Sequence, residues 1–452
     1  MSSSLALKQQ RHAHHGSGSP PALASLTALP REVLASIVAF VAGFEDDEDD
    51  EDGPASLALL SLTSTTFRKL ALPFLFDSLQ LKDSAALVKA VKVFKLGGKG
   101  KKKSECETSL AFAGELSVEF ENVYSSPPTK TTLVSSLASI LSSAASLTSL
   151  SISLGSPSSQ ARHSLLNLFP SFPAPLDVLT NLEVFRLSAG AEIWLHDLAR
   201  LFPSWPHLHM LELAHLRGDG SRPLASTAVR PTSLKKLVVG SSSLTGEMVA
   251  WLLDGVGTSG LEWLEMPLPG ADGHSRAWKA VEKVMGRKVE VLKLTDGWAG
   301  GTVRRKKKVV EVGGASGSDG ATGENDGGSD IFKHPPSPLL PLLVKTPNLR
   351  SLLLTTALLP SVPSSESFET LLEHLDNLAE LTIEDTAASG LRKAVQAALA
   401  AGKLPALERV VSVGVKKRKG AGEGDEAKKG KGDKAFDKAC EKRGVEWTIV
   451  SA

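Results

Sequence analysis

Cysteine is nearly absent from this chain. Its only two, Cys106 and Cys440, lie far apart with no CxxC or CxxH neighbourhood. That spacing excludes a disulfide framework and a zinc module and favours a reducing compartment. Long apolar runs are missing too. No stretch reaches the roughly 18 residues that a membrane helix needs, and the opening MSSSLALKQQRHAHHGSGSPP lacks the apolar core of a secretory signal. The expectation is a soluble protein of the cytoplasm, the nucleus or both, with no membrane partner. Net charge is small, at +1 from 51 basic and 50 acidic residues. It conceals blocks that cancel: EDDEDDED at Glu45 to Asp52, KGKKK near Lys99, RRKKK from Arg304 and KKRKG from Lys416. Such blocks read as loops and tails, with nuclear import as a second reading of the basic runs. They are broken by acidic and glycine-rich sequence without interleaved aromatics, so nucleic acid is not the expected partner.

Catalytic signatures are lacking as well. HAHH at His12 to His15 sits in a Ser/Gly/Pro-rich tail with nothing to orient the imidazoles. GGKGKKKS at Gly97 misses the spacing of a phosphate-binding loop, and SDGATGENDGG lacks the alternation and the later glutamate of a calcium loop. No G-x-S-x-G elbow occurs, and neither cysteine has a histidine nearby in sequence. The expectation is a protein that is not an enzyme, with no cofactor, no metal and no catalytic residues.

What is present, at 42% hydrophobic residues in 452, suffices for a large core in more than one unit. From Leu147 onward an LxxLxL pattern returns: LTSLSISL, LEVFRLSA at Leu182, LHMLELAHL at Leu208, LKKLVVG at Leu234, LEWLEMPL at Leu261, VEVLKLTD at Val289, LRSLLLTT at Leu349, LAELTIED at Leu378 and LERVVSVG at Leu407. Helical patterns alternate with these pieces: AEIWLHDLARLF, GEMVAWLLDGV, SRAWKAVEKVM, SESFETLLEHL and GLRKAVQAALAAG. Short strands alternating with helices, each pair too small to hide its own apolar face, are what a stacked solenoid needs. The region resembles the leucine-rich repeat family, with strands on the concave side and helices on the convex side. It departs from the family where an asparagine often follows LxxLxL. Here Gly190, Leu216, Ser242, Pro269, Ala357 and Thr386 take that place, so an asparagine ladder after the strand is not expected.

Ahead of the repeats, LPREVLASIVAFVAGF begins at Leu29, with Pro30 reading as the first helical position and Gly43 as a stop. Val33, Leu34, Ile37, Val38 and Val41 share one side of a 3.6-residue helix. After the acidic block comes PASLALLSLTSTTFRKLALPFLFDSLQLKD, read as one or two further helices and a first strand in FDSLQL. The order of Leu29-Pro30, an acidic Glu32, an apolar helix and a leucine-rich helix ending in Phe67-Arg68 resembles an F-box, the three-helix module of cullin-type ubiquitin ligases. Thr63-Ser64 stands where that family commonly has Val-Cys. The resemblance, to F-box proteins with C-terminal repeats of the irregular, fungal type, implies that the module docks a small SCF adaptor and through it a cullin. Leu29, Pro30, Leu34, Ile37, Val38, Leu57, Leu60 and Phe67 are the residues it implies for that contact.

Strand alternation turns positions one, four and six of LxxLxL inward and three, five and seven toward the concave solvent. The third and fifth positions then mix charged with apolar groups, which suits a protein client. Arg186, Glu212, Trp263, Glu265 and Lys293 are the candidate client-binding residues, with Trp263 as anchor.

The expected architecture is α/β, a three-helix F-box-like module followed by a leucine-rich-repeat solenoid. The layout is a disordered tail at 1–25, the helical module at 26–72 with its acidic loop at 45–52, and a linker with first irregular repeats at 73–146 containing a basic loop at 95–104. Repeats follow at 147–415 with a disordered insertion at about 299–335, then a basic low-complexity segment at 416–435 and a cap at 436–452. The leading functional expectation is the substrate-recognition subunit of an SCF-type ligase. The alternative is a repeat scaffold without ligase association.

Overall fold

The computed structural model describes residues 29–42, 53–93, 110–120, 127–154, 163–164, 173–188, 191–219, 224, 230, 232–256, 260–268, 274–296, 343–354, 372, 375–384, 388–414 and 431–451. The expected tail, acidic loop, basic loop and glycine-rich insertion lie outside them. The chain divides into two compact units, Met1–Phe76 and Asp77–Ala452.

The first unit is built from helices α1 (Arg31–Val41), α2 (Gly53–Thr63) and α3 (Thr65–Asp77). Pro30 is the N-cap of α1 rather than its first helical residue: its backbone is extended, and its carbonyl accepts from Val33 and Leu34 N–H at 3.1 Å each. The core consists of Leu34, Val38, Leu57, Phe67 and Ala71. Ser64 explains the Thr63-Ser64 pair, because its hydroxyl accepts from the Phe67 N–H at 3.1 Å and starts α3. Thr63 is exposed, and its hydroxyl donates to the Leu60 carbonyl at 2.7 Å.

In the second unit the strands are β1 (Ser78–Leu81), β2 (Glu115–Phe120), β3 (Ser149–Leu154), β4 (His163–Ser164), β5 (Val184–Ser188), β6 (Ala191–Trp194) and β7 (Met210–Arg217). They continue with β8 (Lys236–Ser242), β9 (Trp263–Leu268), β10 (Val291–Asp296), β11 (Ser351–Leu354), β12 (Glu380–Glu384), β13 (Arg409–Gly414) and β14 (Glu446–Ser451). All but β4 and β6 follow one another in chain order along one sheet, and every pairing is parallel. The repeats therefore begin at Ser78, inside the segment expected to be partly linker, and Glu115–Phe120 and Glu446–Ser451 are strands of the same sheet.

Between the strands run α4 (Ser84–Val93), α5 (Pro127–Ser143), α6 (Pro173–Asp177), α7 (Leu195–Leu201), α8 (Gly246–Asp254), α9 (His274–Val284), α10 (Ala388–Ala400) and α11 (Lys431–Arg443). Helix α11 starts within the segment expected to be low-complexity. AEIWLHDLARLF is split: Ala191–Trp194 forms β6, paired with the far end of β7 through Ile193–Leu216 and Trp194–Arg217, and only the remainder is helical. Gly240 packs so near β7 that a Cβ there would lie 2.9 Å from the Ala214 carbonyl oxygen.

Inward positions one, four and six are buried as the alternation requires: Leu182, Phe185 and Leu187; Leu208, Leu211 and Leu213; Leu261, Leu264 and Met266. In the β13 repeat the sixth position is Ser412, fully buried and receiving a hydrogen bond from Trp447 Nε1 at 3.2 Å. A ladder does join the turns, but it precedes the strand. Asn181 Nδ2 donates to the Ala145 carbonyl at 3.2 Å, Asn348 to Arg287 at 2.8 Å and Asn377 to Pro347 at 2.9 Å. Ser146 and Ser233 make the equivalent bonds to Ala113 and Pro206, each at 3.2 Å.

Candidate protein-binding surfaces

Strand register brings the expected client-binding residues onto one open face of the sheet. Arg186, Glu212, Val238 and Glu265 stand opposite one another on β5, β7, β8 and β9, and Glu265 stands opposite Lys293 on β10. The neighbouring row carries Val184, Met210, Lys236, Trp263 and Val291.

The side chains form one connected network. Arg186 Nε meets Glu212 at 3.0 Å, and the other oxygen of Glu212 meets Lys236 Nζ at 2.6 Å. Lys236 Nζ lies 4.6 Å from the centre of the Trp263 ring, Lys293 Nζ lies 5.2 Å from it, and Lys293 reaches Glu265 at 3.8 Å. All five expected residues are thus brought together, with Lys236 of the neighbouring row as a sixth. The ammonium groups are held against the negative faces of the indole. Partly exposed ion pairs of this kind contribute little to stability, about 0–1 kcal/mol each. Their main effect is to fix the orientation of the indole.

The face is not uniformly solvent-facing. Val291 and Ser351, both third-position residues, are buried. Trp263 and Glu380 flank them along the row, and the Ser351 hydroxyl donates to Glu380 at 3.1 Å. Further along, Arg409 and Glu446 approach at 3.9 Å. Carboxylates and cations are therefore interspersed across the strands instead of forming a basic track.

In the first unit the eight residues implied for adaptor docking divide. Leu34, Val38, Leu57 and Phe67 are enclosed in the unit's own core, and Ile37 and Leu60 pack partly against it. Helix packing consumes the first four, which corrects their assignment to a docking surface. Leu29 and Pro30 are exposed. Sequence reasoning missed the largest exposed apolar groups: Phe40 at 71% exposure, Leu59 at 67% and Leu62 at 79%. On α1, Val33, Ile37 and Phe40 follow one another at steps of four and three and form a second apolar stripe, next to the inward stripe of Leu34, Val38 and Val41. Spacing could have separated the two stripes, since neighbours in sequence lie 100° apart on a helix.

Among the described residues no group of three His, Cys, Asp or Glu side chains could hold a metal ion, and no helix is long and apolar enough to cross a membrane. His12 to His15 and Cys106 lie outside the described residues. Cys440 is fully buried, and desolvation, with Asp437 nearby, pushes its thiol up to about 11. That disfavours the thiolate that nucleophilic chemistry needs.

Comparison with known proteins gives the chain no family: no family model matches it, and no curated protein does. Among solved structures it is similar to the leucine-rich repeat ectodomain of the Arabidopsis receptor kinase HAESA, determined in complex with an N-terminally extended IDA peptide hormone. The likeness has a TM-score of 0.29 and 14% identity over 61% of this chain. The chain spans 36% of that ectodomain's length.

Proposed function

We propose that this chain is the substrate-recognition subunit of an SCF-type cullin ubiquitin ligase, with an F-box in the first unit and leucine-rich repeats in the second. The carrying observation is the second stripe on α1. A three-helix unit that only capped the repeats would need the core stripe of Leu34, Val38 and Val41, whereas Val33 and Phe40, on either side of the half-buried Ile37, leave apolar area exposed at the cost of solubility. A partner that covers this stripe accounts for it, and the small SCF adaptor is the partner that the F-box resemblance names. In this reading the interspersed charges around Trp263 hold a protein client, with no membrane or nucleic acid involved. The subunit performs no chemistry of its own. Tethering a client raises its effective concentration near the enzyme that modifies it.

Co-purification of the full-length protein with the small adaptor tests the proposal. Wild type is expected to capture the adaptor, and a Val33→Asp, Phe40→Asp double variant is expected to lose it while keeping its circular dichroism and melting temperature. Both positions are exposed, so the core is untouched. No capture by the wild type would instead leave the chain as a repeat scaffold without ligase association, a reading that the network around Trp263 supports by itself.

A further inference from the structure

Helices α8 and α9 run side by side in consecutive repeats and enclose a cleft of about 480 Å³. Its ends are closed by charge. At one end Arg276 on α9 pairs with Glu247 on α8; at the other, Lys283 pairs with Asp254. Those pairs follow from sequence spacing, because Glu247, Trp251 and Asp254 sit at steps of four and three on α8 and Arg276, Lys279 and Lys283 at steps of three and four on α9.

The middle of the cleft differs. Ala250 and Ala280 are small and leave room, and Lys279 is exposed with no ion-pair partner among the described residues. Two further donors face the same deficit. Trp251, 8% exposed, has no acceptor for Nε1, and Arg230 has none for Nε. The guanidinium of Arg230 lies 5.8 Å from the Trp251 ring centre, and one terminal nitrogen reaches Asp254 at 2.5 Å. Its seat is built in: any Cβ at position 255 would overlap the Arg230 side chain, so Gly255 at the end of α8 is what admits it.

Buried donors without acceptors are rare in folded proteins, and here two residues that carry them line the same cleft as Lys279. Everything missing from the centre of the cleft is an acceptor. The lining carries Arg230, Arg276, Lys279 and Lys283 against Glu247 and Asp254, so cations outnumber carboxylates by two. We propose that the α8–α9 cleft binds an acidic side chain projecting from a protein partner, with its carboxylate on Lys279 between the two closed ends. The Arg230 Nε and Trp251 Nε1 atoms are buried and mark the local shortage of acceptors, while the exposed Lys279 makes the contact. Charge complementarity argues for the occupant: with Arg276 and Lys283 already paired at the ends, Lys279 is the cation left to receive one acidic side chain. This site is independent of the adaptor and of the face around Trp263.

The test uses the full-length protein and a hexaglutamate peptide carrying a photo-crosslinker, with cross-links mapped by mass spectrometry. Cross-links are expected within 246–284, and Lys279→Glu is expected to abolish them and to weaken that component of binding by about tenfold or more, the cost of replacing a charged contact by repulsion. A Lys89→Glu variant, on α4, is expected to leave them unchanged. Cross-links confined to the basic runs at 304–308 or 416–430, or insensitive to Lys279→Glu, would overturn the proposal. So would complete displacement of the peptide by an equal concentration of inorganic phosphate, which would make the ligand a free anion.

Discussion

Trp263 owes its orientation to two lysines from the strands on either side, Lys236 and Lys293. Each cation–π contact at a partly exposed site contributes about 0.5–1 kcal/mol. Trp263→Ala is therefore expected to lower stability by about 1–2 kcal/mol in urea denaturation, with Trp263→Phe retaining most of it. Freed from the ring, Lys236 and Lys293 should also acylate faster under limiting acetic anhydride. Adaptor capture should not change, because the substitution lies in the other unit; a parallel loss there would show that Trp263 is needed for folding and not for this face. The location of Trp263 was legible in the sequence, since a two-residue alternation decides which side of a strand a residue occupies. Its lysine partners were less so. Lys236 is its neighbour in register, but Lys293 is offset by two residues on the next strand, and that diagonal reach depends on side-chain length.

At the scale of elements, the strands were legible from LxxLxL and the ladder between them was not. The sequence lacks asparagine after the strand, yet T-N-L, P-N-L and D-N-L place Asn181, Asn348 and Asn377 just before it. The same job, satisfying carbonyls that the preceding turn leaves open, is done from the other end of the repeat. Asn377→Ala is expected to cost about 1 kcal/mol by loss of this bond. Asn377→Asp should cost at least as much despite its near-identical shape, because a carboxylate has no N–H to donate and would face the Pro347 carbonyl oxygen. Wild-type stability in the Asp variant at neutral pH would show that the bond contributes nothing. Strand β6 escaped sequence reasoning for a different reason. AEIWLHDLARLF has helical spacing throughout, and it is the length of β7 beyond its pairing with β5, together with β4, that supplies edges for Ala191–Trp194: Ile193 and Trp194 pair with β7, and Ala191 and Glu192 with β4. In the first unit, the burial of Leu34 and Val38 was decided by which of two adjacent apolar stripes α2 and α3 cover, a tertiary choice that the apolar pattern of α1 alone does not encode.

On the scale of the molecule, the second unit is a row of repeats in which each strand pairs with its immediate neighbours, so stability is a sum of local and nearest-neighbour contributions. Among the described residues β14 pairs with β13 alone, so the repeat of α11 and β14 has lateral support from one side. Cys440 reports on it. The thiol is buried on α11 among the elements of this repeat, and desolvation raises it to about 11, so at pH 8 about one thiol in a thousand is ionised while the repeat is closed. Unfolding returns the group toward an ordinary thiol and exposes it, and both changes accelerate alkylation. In a Cys106→Ser background, labelling of Cys440 by iodoacetamide is expected to be negligible in buffer and to rise at urea concentrations well below the main loss of circular dichroism, because opening the end costs only one interface. Phe436 stacks edge-on against Trp447 at 5.1 Å and ties α11 to β14. Phe436→Ala should therefore move the labelling transition to still lower urea while leaving the main transition nearly in place. Coincidence of the two transitions in both proteins would mean that the row unfolds as one cooperative block, with its last repeat held as firmly as its centre.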